Sequence, residues 1–356
     1  MKAKRNVFID IIKGVAIFLM LWGHCIQYCV ANSNVDFFEN SVFKAIYSFH
    51  MPLFMLVSGY LFFYSFSKLD LKSLLIHKTQ TLLQPIVFCS IFNFFVTTVL
   101  FSALNGSFSA AFGGKWLENI TSLWFLWSVL IASLICAVIC KTCNNVWIQI
   151  ALFFVAIPIV AMFPNANLNI YMYPYFVLGF YFAKYKDKLP NTIVTIKYVS
   201  LPLFPVLMLF YEKKHFIYTT GLFPHDNYSL TQMLFIDAYR WLIGLVGSIF
   251  AISILHIIYE HFTLKCNKPV VSTALAKLGR CSIKIYTFSV PFLSTYLSIL
   301  FPKMLSSLNI SNIFVTNALV YNFVFTLSLA IVYAFTLYYF VKIIDKTKLS
   351  KIMFGI

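Results

Sequence analysis

Apolar runs long enough to cross a lipid bilayer recur along this sequence and limit what it can fold into. A membrane helix needs about 20 largely apolar residues to cross roughly 30 Å of hydrocarbon, and we counted runs of about 17 residues or more. They predict ten transmembrane helices. The runs lie at about 7–30, 42–66, 80–103, 122–140, 146–163, 169–184, 193–211, 233–259, 282–301 and 314–342.

The composition excludes an ordinary soluble protein. Hydrophobic residues make up 61% of the chain, charged residues only 11%, and the mean hydropathy is +0.84. No polar stretch is large enough to form a separate soluble domain. We therefore predict an all-α, polytopic integral membrane protein in which residues 1–356 form a single membrane-embedded domain. The first run carries charged residues and is too long for a signal peptide, so we expect it to be retained.

The net charge of +16 follows the predicted topology. If the N-terminus is cytoplasmic, the inside segments hold 20 of the 27 Lys and Arg residues and the outside segments hold five. This asymmetry is that of the positive-inside rule. It predicts a multi-pass protein with both termini in the cytoplasm, and we expect no nucleic-acid partner. Basic residues on the inner side are also suited to an anionic cytosolic ligand.

One face of the first predicted helix carries three polar residues. Lys13 and His24 are eleven residues apart, which is three helical turns plus roughly 20°, so they share a stripe about 16 Å apart along the axis. Asp10 lies one turn before Lys13 on the same stripe. Such groups cost roughly 2.5 kcal/mol or more each near the bilayer centre, so this face is expected to turn inward and line a polar cavity.

Two interpretations of Lys13 remain open at this point. Asp10 can pair with Lys13 at i−3 and hold its ammonium group for the phosphate of an anionic ligand. Alternatively, Lys13 lies near enough to the cytoplasmic end of the helix to reach the lipid headgroups and act only as an anchor.

A group of basic residues on the next inside loop is suited to the same anionic ligand. Lys78 is its member nearest to the third predicted helix, and we assign it with Asp10 and Lys13 to donor binding. Singly, such residues are more often topology anchors. The group consists of Lys68, Lys72, His77 and Lys78.

The second predicted helix contains His50, followed by a helix-bending proline and a small Ser-Gly step. Irregular membrane helices of this kind tend to line cavities. Because the first two helices run in opposite directions, His24 and His50 are expected at similar depth in the outer half of the membrane. Two facing imidazoles suit proton transfer near neutral pH. The alternative is that each is a buried histidine bonded to a neighbouring helix.

Several residues are predicted on the outer side. Asp237 and Arg240 form an i, i+3 pair early in the eighth helix, which serves either an acceptor site or a simple tie between helices. Trp124 and Tyr173 belong to a group of outer aromatic residues that are typical of interface belts but also stack on sugar rings. We expect no metal site, because Cys140 and Cys143 lack a second pair or a nearby histidine.

Six motifs in order resemble the membrane-bound acyltransferase 3 family, in particular its short fucose-O-acetylase-like branch. Members carry a basic residue, ten intervening residues and a histidine in the first helix, as in Lys13 to His24. The other motifs are F-H-M-P-L-F and S-G-Y over 49–60, W-F-L over 124–126, Y-P-Y-F over 173–176 with Gly179, L-G-R-C-S over 278–282 with Tyr286, and a closing F-G at 354–355.

Three positions depart from the family pattern. Many members have arginine where this chain has Lys13. Many members have an R-x-x-R pair before the third helix, where this chain has K-T-Q-T over 78–81. Members often carry a histidine three residues after the tyrosine of the ninth helix, where this chain has Ser289. The resemblance therefore implies no third histidine at that position.

The resemblance implies an O-acyltransferase of the bacterial cytoplasmic membrane. Its activity would be transfer of an acetyl or other short acyl group from cytosolic acetyl-CoA, or another acyl-CoA, to a hydroxyl of an extracytoplasmic polysaccharide or lipid-linked glycan. His24 and His50 would be catalytic, with His24 acting as a base or carrying the acyl group. Asp10, Lys13 and Lys78 would contact the donor. The acceptor side would hold Trp124, Tyr173, Asp237, Arg240 and Tyr286.

Two other classes of protein compete with this interpretation. A transporter or exporter could move a glycan or lipid-linked sugar without acyl transfer, although the inverted repeats common in transporters are not evident in the sequence. In a membrane scaffold, the polar residues would only hold helices together.

Overall fold

The computed structural model describes residues 6–29, 36–105, 120–222, 224–225, 227–261, 270–292 and 317–355, with side chains omitted at 97–105, 270–272 and 290–292. All regular secondary structure in these ranges is helical. The helices α1 to α3 follow the first three predicted spans: α1 is Val7–Cys29, α2 is Ser41–Phe66 and α3 is Leu71–Asn105.

Asparagine side chains fix where the first two helices begin. The Oδ1 atom of Asn6 accepts from the backbone N–H of Phe8 at 3.0 Å, and that of Asn40 accepts from the N–H of Val42 at 3.0 Å. These bonds satisfy donors that have no partner within the first turn of a helix. α2 continues through Pro52 without a break in its helical assignment.

The middle of the chain forms a series of shorter helices. The predicted span at 146–163 is two helices, with Pro158 in the first turn of the second, where a missing N–H is tolerated. The helices are α4 at Trp124–Thr142, α5 at Val146–Val155, α6 at Ile157–Ala161, α7 at Ala166–Tyr185 and α8 at Pro190–Met208.

The last part of the chain includes an additional helix, Val270–Arg280, within a predicted inside loop. A π-helix at Val320–Thr326 leads directly into α13. The bounds are α9 at Ile217–Thr220, α10 at Leu230–Ile258, α11 at Val270–Arg280, α12 at Ser282–Phe292, α13 at Leu327–Ile344 and α14 at Lys348–Phe354.

Seven helices within the described residues are long and apolar enough to cross a membrane. They are α1, α2, the part of α3 at Leu71–Val96, α4, α8, α10 with its extension to His261, and the π-helix joined to α13. The chain is thus an all-helical integral membrane protein. The count of ten and the polar cavity stay predictions, and the second half of the ninth predicted span lies outside the described residues.

The described chain divides into two compact units. α2, α3, α10 and α14 each contribute residues to both, and the expectation of a single domain stays a prediction. The first unit takes the described residues of Met1–His50, Phe88–Ile120 and Leu255–Ile352, and the second those of Met51–Val87, Thr121–Ile254 and Met353–Ile356.

In the first unit, α1 and α11 pack backbone against backbone. A Cβ atom at Gly279 would lie 1.8 Å from the carbonyl oxygen of Asp10, and one at Gly14 would lie 1.9 Å from that of Leu275. Only glycine therefore fits at either position. Small residues at helix interfaces allow this close approach in membrane proteins. The contact fixes the position of α11 beside the polar face of α1.

The same kind of contact joins α2 to α7 in the second unit. A Cβ atom at Gly59 would lie 2.0 Å from the carbonyl oxygen of Phe176, and one at Gly179 would lie 2.0 Å from that of Leu56. These two glycines belong to the S-G-Y and Y-P-Y-F motif regions. Their place in those motifs is explained by helix packing.

Replacing Gly279 with alanine is expected to destabilise the protein, because the new methyl group would meet the backbone of α1 and force the helices apart. Overpacking of this kind costs about 3 kcal/mol. The melting temperature of the purified protein in detergent is the measurement. Ala274→Ser, at an exposed position of α11, is the control and should leave the melting temperature unchanged. Equal melting temperatures for both variants would contradict the packing argument.

Candidate active site

His24, in the last two turns of α1, is bonded to two side chains of the first unit. Its Nδ1 atom lies 3.1 Å from the hydroxyl of Tyr47 and 3.3 Å from Oε1 of Gln27. The Tyr47 hydroxyl also donates to Oε1 of Gln27 at 3.4 Å. The ring of Tyr28 stacks on that of His24, with centroids 5.7 Å apart. The imidazole is therefore held by bonds at one nitrogen and by stacking.

These bonds favour one tautomer of the neutral His24 ring, with the proton on Nδ1. An amide oxygen only accepts hydrogen bonds, so Nδ1 donates when it bonds to Gln27. The Tyr47 oxygen accepts from the same N–H while its own proton goes to Gln27. In the neutral ring, Nε2 then has the lone pair that can accept a proton.

In the neutral ring of His50 the proton also lies on Nδ1, here because of a bond to the backbone. It is buried, and its Nδ1 atom donates to the backbone carbonyl of Ile46 at 2.8 Å. This leaves the lone pair on Nε2. The bond to a carbonyl is also what a purely structural histidine would form, so the catalytic assignment of His50 stays a prediction.

Tyr47 contacts both histidines. Its ring centroid lies 6.1 Å from that of His24 and 4.7 Å from that of His50. Within the described residues, the two imidazoles bond to Tyr47, Gln27 and the carbonyl of Ile46 rather than to each other. Tyr47 and Gln27 were not predicted as site residues, although each lies three residues from a histidine on the same helical face, a spacing that identifies neighbours.

At the other end of α1, the carboxylate of Asp10 is shared by two basic side chains. Asp10 is buried, Lys13 Nζ lies 3.4 Å from its Oδ1, and Arg280 Nε lies 3.5 Å from its Oδ2. The ion pair predicted between Asp10 and Lys13 is present. Arg280, in the L-G-R-C-S motif, was not predicted to join it. Two cationic side chains thus contact one carboxylate.

Helix α1 contributes residues to both groups. α1 is continuous from Val7 to Cys29, so Lys13 and His24 are about 16 Å apart along its axis, as the sequence predicts. We call Asp10, Lys13 and Arg280 the cationic cluster, and His24, Gln27, Tyr47 and His50 the histidine cluster. Both belong to the first unit.

Lys78, the third predicted donor contact, belongs to the second unit. Its Nζ atom lies 3.3 Å from the Ser65 hydroxyl and 5.4 Å from the ring centre of Phe62. Both contacts are made to the end of α2 and orient the side chain. A donor site that combines Lys13 with Lys78 stays a prediction.

Arg240, one of the predicted acceptor-side residues, is almost completely buried in the second unit. Each of its five N–H groups has an acceptor. The acceptors are the carbonyl oxygens of Lys214, His215 and Gly221, the hydroxyl of Thr220 and the carboxylate of Asp237. Four of the five belong to residues 214–221, so Arg240 fixes the path of this segment.

Two more of the predicted acceptor-side residues lie beside Arg240 or beside this segment. Oδ1 of Asp237 lies 2.8 Å from Nη1 of Arg240, and this carboxylate neutralises the charge of the guanidinium group. Trp124, the first residue of α4, makes an edge contact with Tyr218, with ring centroids 6.5 Å apart. Three predicted acceptor-side residues thus converge on the loop between α8 and α10, and their contact with an acceptor stays a prediction.

Tyr173 and Tyr286 lie elsewhere. Tyr173 is buried in α7 beside Phe153, and its hydroxyl has no hydrogen-bond partner among the described residues. Tyr286 is buried in α12 of the first unit, and its carbonyl accepts from the Ser289 hydroxyl at 2.8 Å. Ser289 stands where many family members have histidine, and this bond turns its side chain back onto its own helix.

Comparison with known families identifies the family of this chain. The family model described as an acyltransferase domain, that of acyltransferase 3, matches residues 6–337. The chain belongs to the acyltransferase 3 family. The match includes both ends of the polar stripe on α1, Arg280 and the segment held by Arg240. The chain is therefore a membrane-embedded acyltransferase.

Two curated relatives of this acyltransferase are nodulation proteins named NolL. The protein from Sinorhizobium fredii is 26% identical over 295 residues, which cover 79% of this chain and 76% of the relative. The protein from Mesorhizobium japonicum is 26% identical over 293 residues, covering 79% and 75%. No solved structure matches the chain.

Proposed function

We propose that this acyltransferase moves an acetyl or other short acyl group from cytosolic acyl-CoA to a hydroxyl of a polysaccharide or lipid-linked glycan on the extracytoplasmic side of the bacterial inner membrane. One observation carries the proposal. Helix α1 carries Asp10 and Lys13 of the cationic cluster near one end and, about 16 Å away on the same face, His24, whose Nδ1 atom bonds to Tyr47 and Gln27.

The cationic cluster is suited to the donor. Lys13 and Arg280 together carry one more positive charge than Asp10 neutralises. An ammonium and a guanidinium group are both good partners for phosphate oxygens. With the phosphates of acyl-CoA held there, its extended pantetheine arm would follow the face of α1 towards His24. The predicted orientation puts this end of α1 in the cytoplasm.

The histidine cluster supplies the base. Nε2 of His24 takes the proton of the acceptor hydroxyl as its oxygen attacks the thioester carbonyl carbon. A C–O bond forms, the C–S bond breaks, and the departing thiolate receives the proton from the imidazolium. Tyr47 and Gln27 hold Nδ1–H throughout, which keeps the ring orientation and stabilises the charged intermediate. The ring of His50 packs against the ring of Tyr47 and helps to hold it in place.

Reconstitution tests this function. The purified protein in liposomes would receive acetyl-CoA labelled in the acetyl group on one side and the envelope glycan of its host on the other. We expect label in the glycan and free CoA in equal amounts. Movement of glycan across the membrane without consumption of acetyl-CoA would instead identify a transporter. Label bound to protein when no glycan is present would indicate an acyl-histidine intermediate rather than direct transfer.

Replacing Tyr47 with phenylalanine is expected to lower the rate constant of transfer by about five- to tenfold, because one hydrogen bond to His24 is lost while the ring remains. The KM values for donor and glycan should stay the same, since Tyr47 orients the base and does not bind substrate. Tyr198→Phe, at an exposed tyrosine of α8, is the control. A change in KM alone would assign Tyr47 to substrate binding instead.

A further inference from the structure

A cleft in the second unit lies beside the segment that Arg240 holds. It is formed by the residues after α8, the turn at Lys213–His215 and the first turns of α10, and its volume is about 520 Å³. Sites for small molecules commonly measure about 300–1,000 Å³. The side chains at its walls include Phe210, Glu212, Lys214, His215, Tyr228 and Gln232.

The charged and polar groups of the cleft balance one another. Lys214 and Glu212 form an ion pair at 2.7 Å, so they add no net charge. Nδ1 of His215 accepts from the backbone N–H of Glu212 at 2.9 Å, which leaves Nε2–H as a donor. Burial, with the nearby Lys214 charge, lowers the pKa of His215 to about 4, so the ring is neutral at pH 7.

Gln232 adds a further donor. Its Oε1 accepts from the backbone N–H of Ser229 at 2.9 Å, which points its amide NH₂ group away from that bond. The cleft thus offers donors and acceptors without net charge. This combination is suited to a neutral ligand with many hydroxyl groups and does not favour a phosphate.

Aromatic rings complete the walls. Phe210 and Phe235 are 63% and 73% exposed, and Tyr239 packs against His215 with ring centroids 4.5 Å apart. Aromatic faces pack well against the C–H faces of sugar rings, while nearby polar groups bond the hydroxyls. The mixture of exposed rings and uncharged polar groups is what a saccharide site needs.

The wall of the cleft is fixed before any ligand arrives. Arg240 donates to the carbonyl oxygens of Lys214 at 3.2 Å and His215 at 3.0 Å. These bonds orient Lys214 and His215, which both line the cleft. A preformed site avoids the entropy cost of ordering a loop on binding. Asp237 and Arg240 would then act as positioning residues for an acceptor without touching it.

We infer that this cleft binds sugar units of the glycan acceptor, with Gln232, Tyr228 and His215 as its recognition residues. The inference rests on the proposed function for the identity of the glycan. In the predicted orientation the loop between α8 and α10 is extracytoplasmic, which is the side where such an acceptor is found. The ligand chemistry is that of a neutral saccharide, either free or attached to a lipid carrier.

Direct binding tests the cleft independently of catalysis. The probe is a set of neutral oligosaccharides of two to four sugars from partial hydrolysis of the host envelope glycan, measured by equilibrium dialysis against the intact protein in detergent. The double variant Tyr228→Ala, Gln232→Ala is expected to raise Kd at least about tenfold, as two polar contacts are lost. The matched control is Thr231→Ala, Leu234→Ala, exposed residues of α10 outside the cleft.

The possible outcomes separate the cleft from the proposed function. Equal Kd values for the double variant and the control, or no binding of any oligosaccharide to the wild-type protein, would overturn the cleft assignment. Displacement of the oligosaccharide by inorganic phosphate would overturn its neutral chemistry. Wild-type binding without acetyl transfer would refute the proposed function and leave the cleft as a saccharide site.

Two further arms complete the test. Gln232→Glu keeps the size of the side chain, so it should fold like the wild type, yet it replaces the donor NH₂ by an acceptor and should also weaken binding about tenfold. If it binds as the wild type does, Gln232 is not a recognition residue. Tighter binding of a lipid-linked than of a free oligosaccharide, lost in the same variants, would identify the lipid-linked form as the acceptor.

Discussion

Replacing His24 with alanine is expected to lower the rate of acyl transfer about a thousandfold, since a positioned general base contributes about 10²–10⁴ to the rate. The alanine variant keeps the cationic cluster, so the KM for acyl-CoA should change little. Initial rates of label transfer from acetyl-CoA to the host glycan are the measurement. His256→Ala, at a partly exposed histidine of the first unit, is the control and should transfer at the wild-type rate.

The same variant separates an enzyme from a scaffold. If His24 only held helices together, its loss would lower the melting temperature while the remaining folded protein transferred at the normal specific rate. We expect the opposite, a small change in melting temperature and a large loss of rate. Undiminished transfer would remove His24 from catalysis.

Replacing Arg240 with alanine is expected to have the largest effect on stability. It removes five hydrogen bonds and leaves the buried Asp237 carboxylate without its cation. Breaking one partner of a buried ion pair costs about 3–5 kcal/mol, and the melting temperature should fall by about 10 °C. Thermal unfolding of the purified protein in detergent is the measurement, with limited proteolysis to show where the chain opens.

Two comparisons make this result specific. Lys213→Ala changes an exposed cation in the same loop and should leave the melting temperature unchanged. Arg240→Lys keeps the charge but has three donors in place of five, so it should lie between the alanine variant and the wild type. If all three variants melt like the wild type, Arg240 does not fix the 214–221 segment.

Features that depend on local spacing were predictable from the sequence. Helical periodicity placed Asp10, Lys13 and His24 on one face, and the i, i+3 spacing identified both the Asp10–Lys13 pair and the Asp237–Arg240 pair. The long apolar runs gave the helical membrane fold because a bilayer imposes a minimum length on every span. The six motifs along the chain indicated the family.

Contacts between distant segments were not predictable. Arg280 contacts Asp10 although the two residues are 270 positions apart in the sequence, because glycines at 14 and 279 let α11 lie directly on α1. Helix α11 itself was overlooked, since it falls in a loop whose basic residues were counted only as topology signals. The cleft beside Arg240 was not predicted, because the residues after α8 and the turn at Lys213–His215 that form part of its wall leave no periodic pattern.

By itself, the sequence determined that this chain is a helical membrane protein with a polar stripe on its first helix and the motifs of an acyltransferase, because these properties depend on hydrophobicity and on spacing within one helix. Only the tertiary structure decided that Tyr47 and Gln27 bond to Nδ1 of His24, that Arg280 joins Asp10 and Lys13, and that all the N–H groups of Arg240 bond to acceptors within the protein. Each of these depends on which side chains meet when separate segments pack.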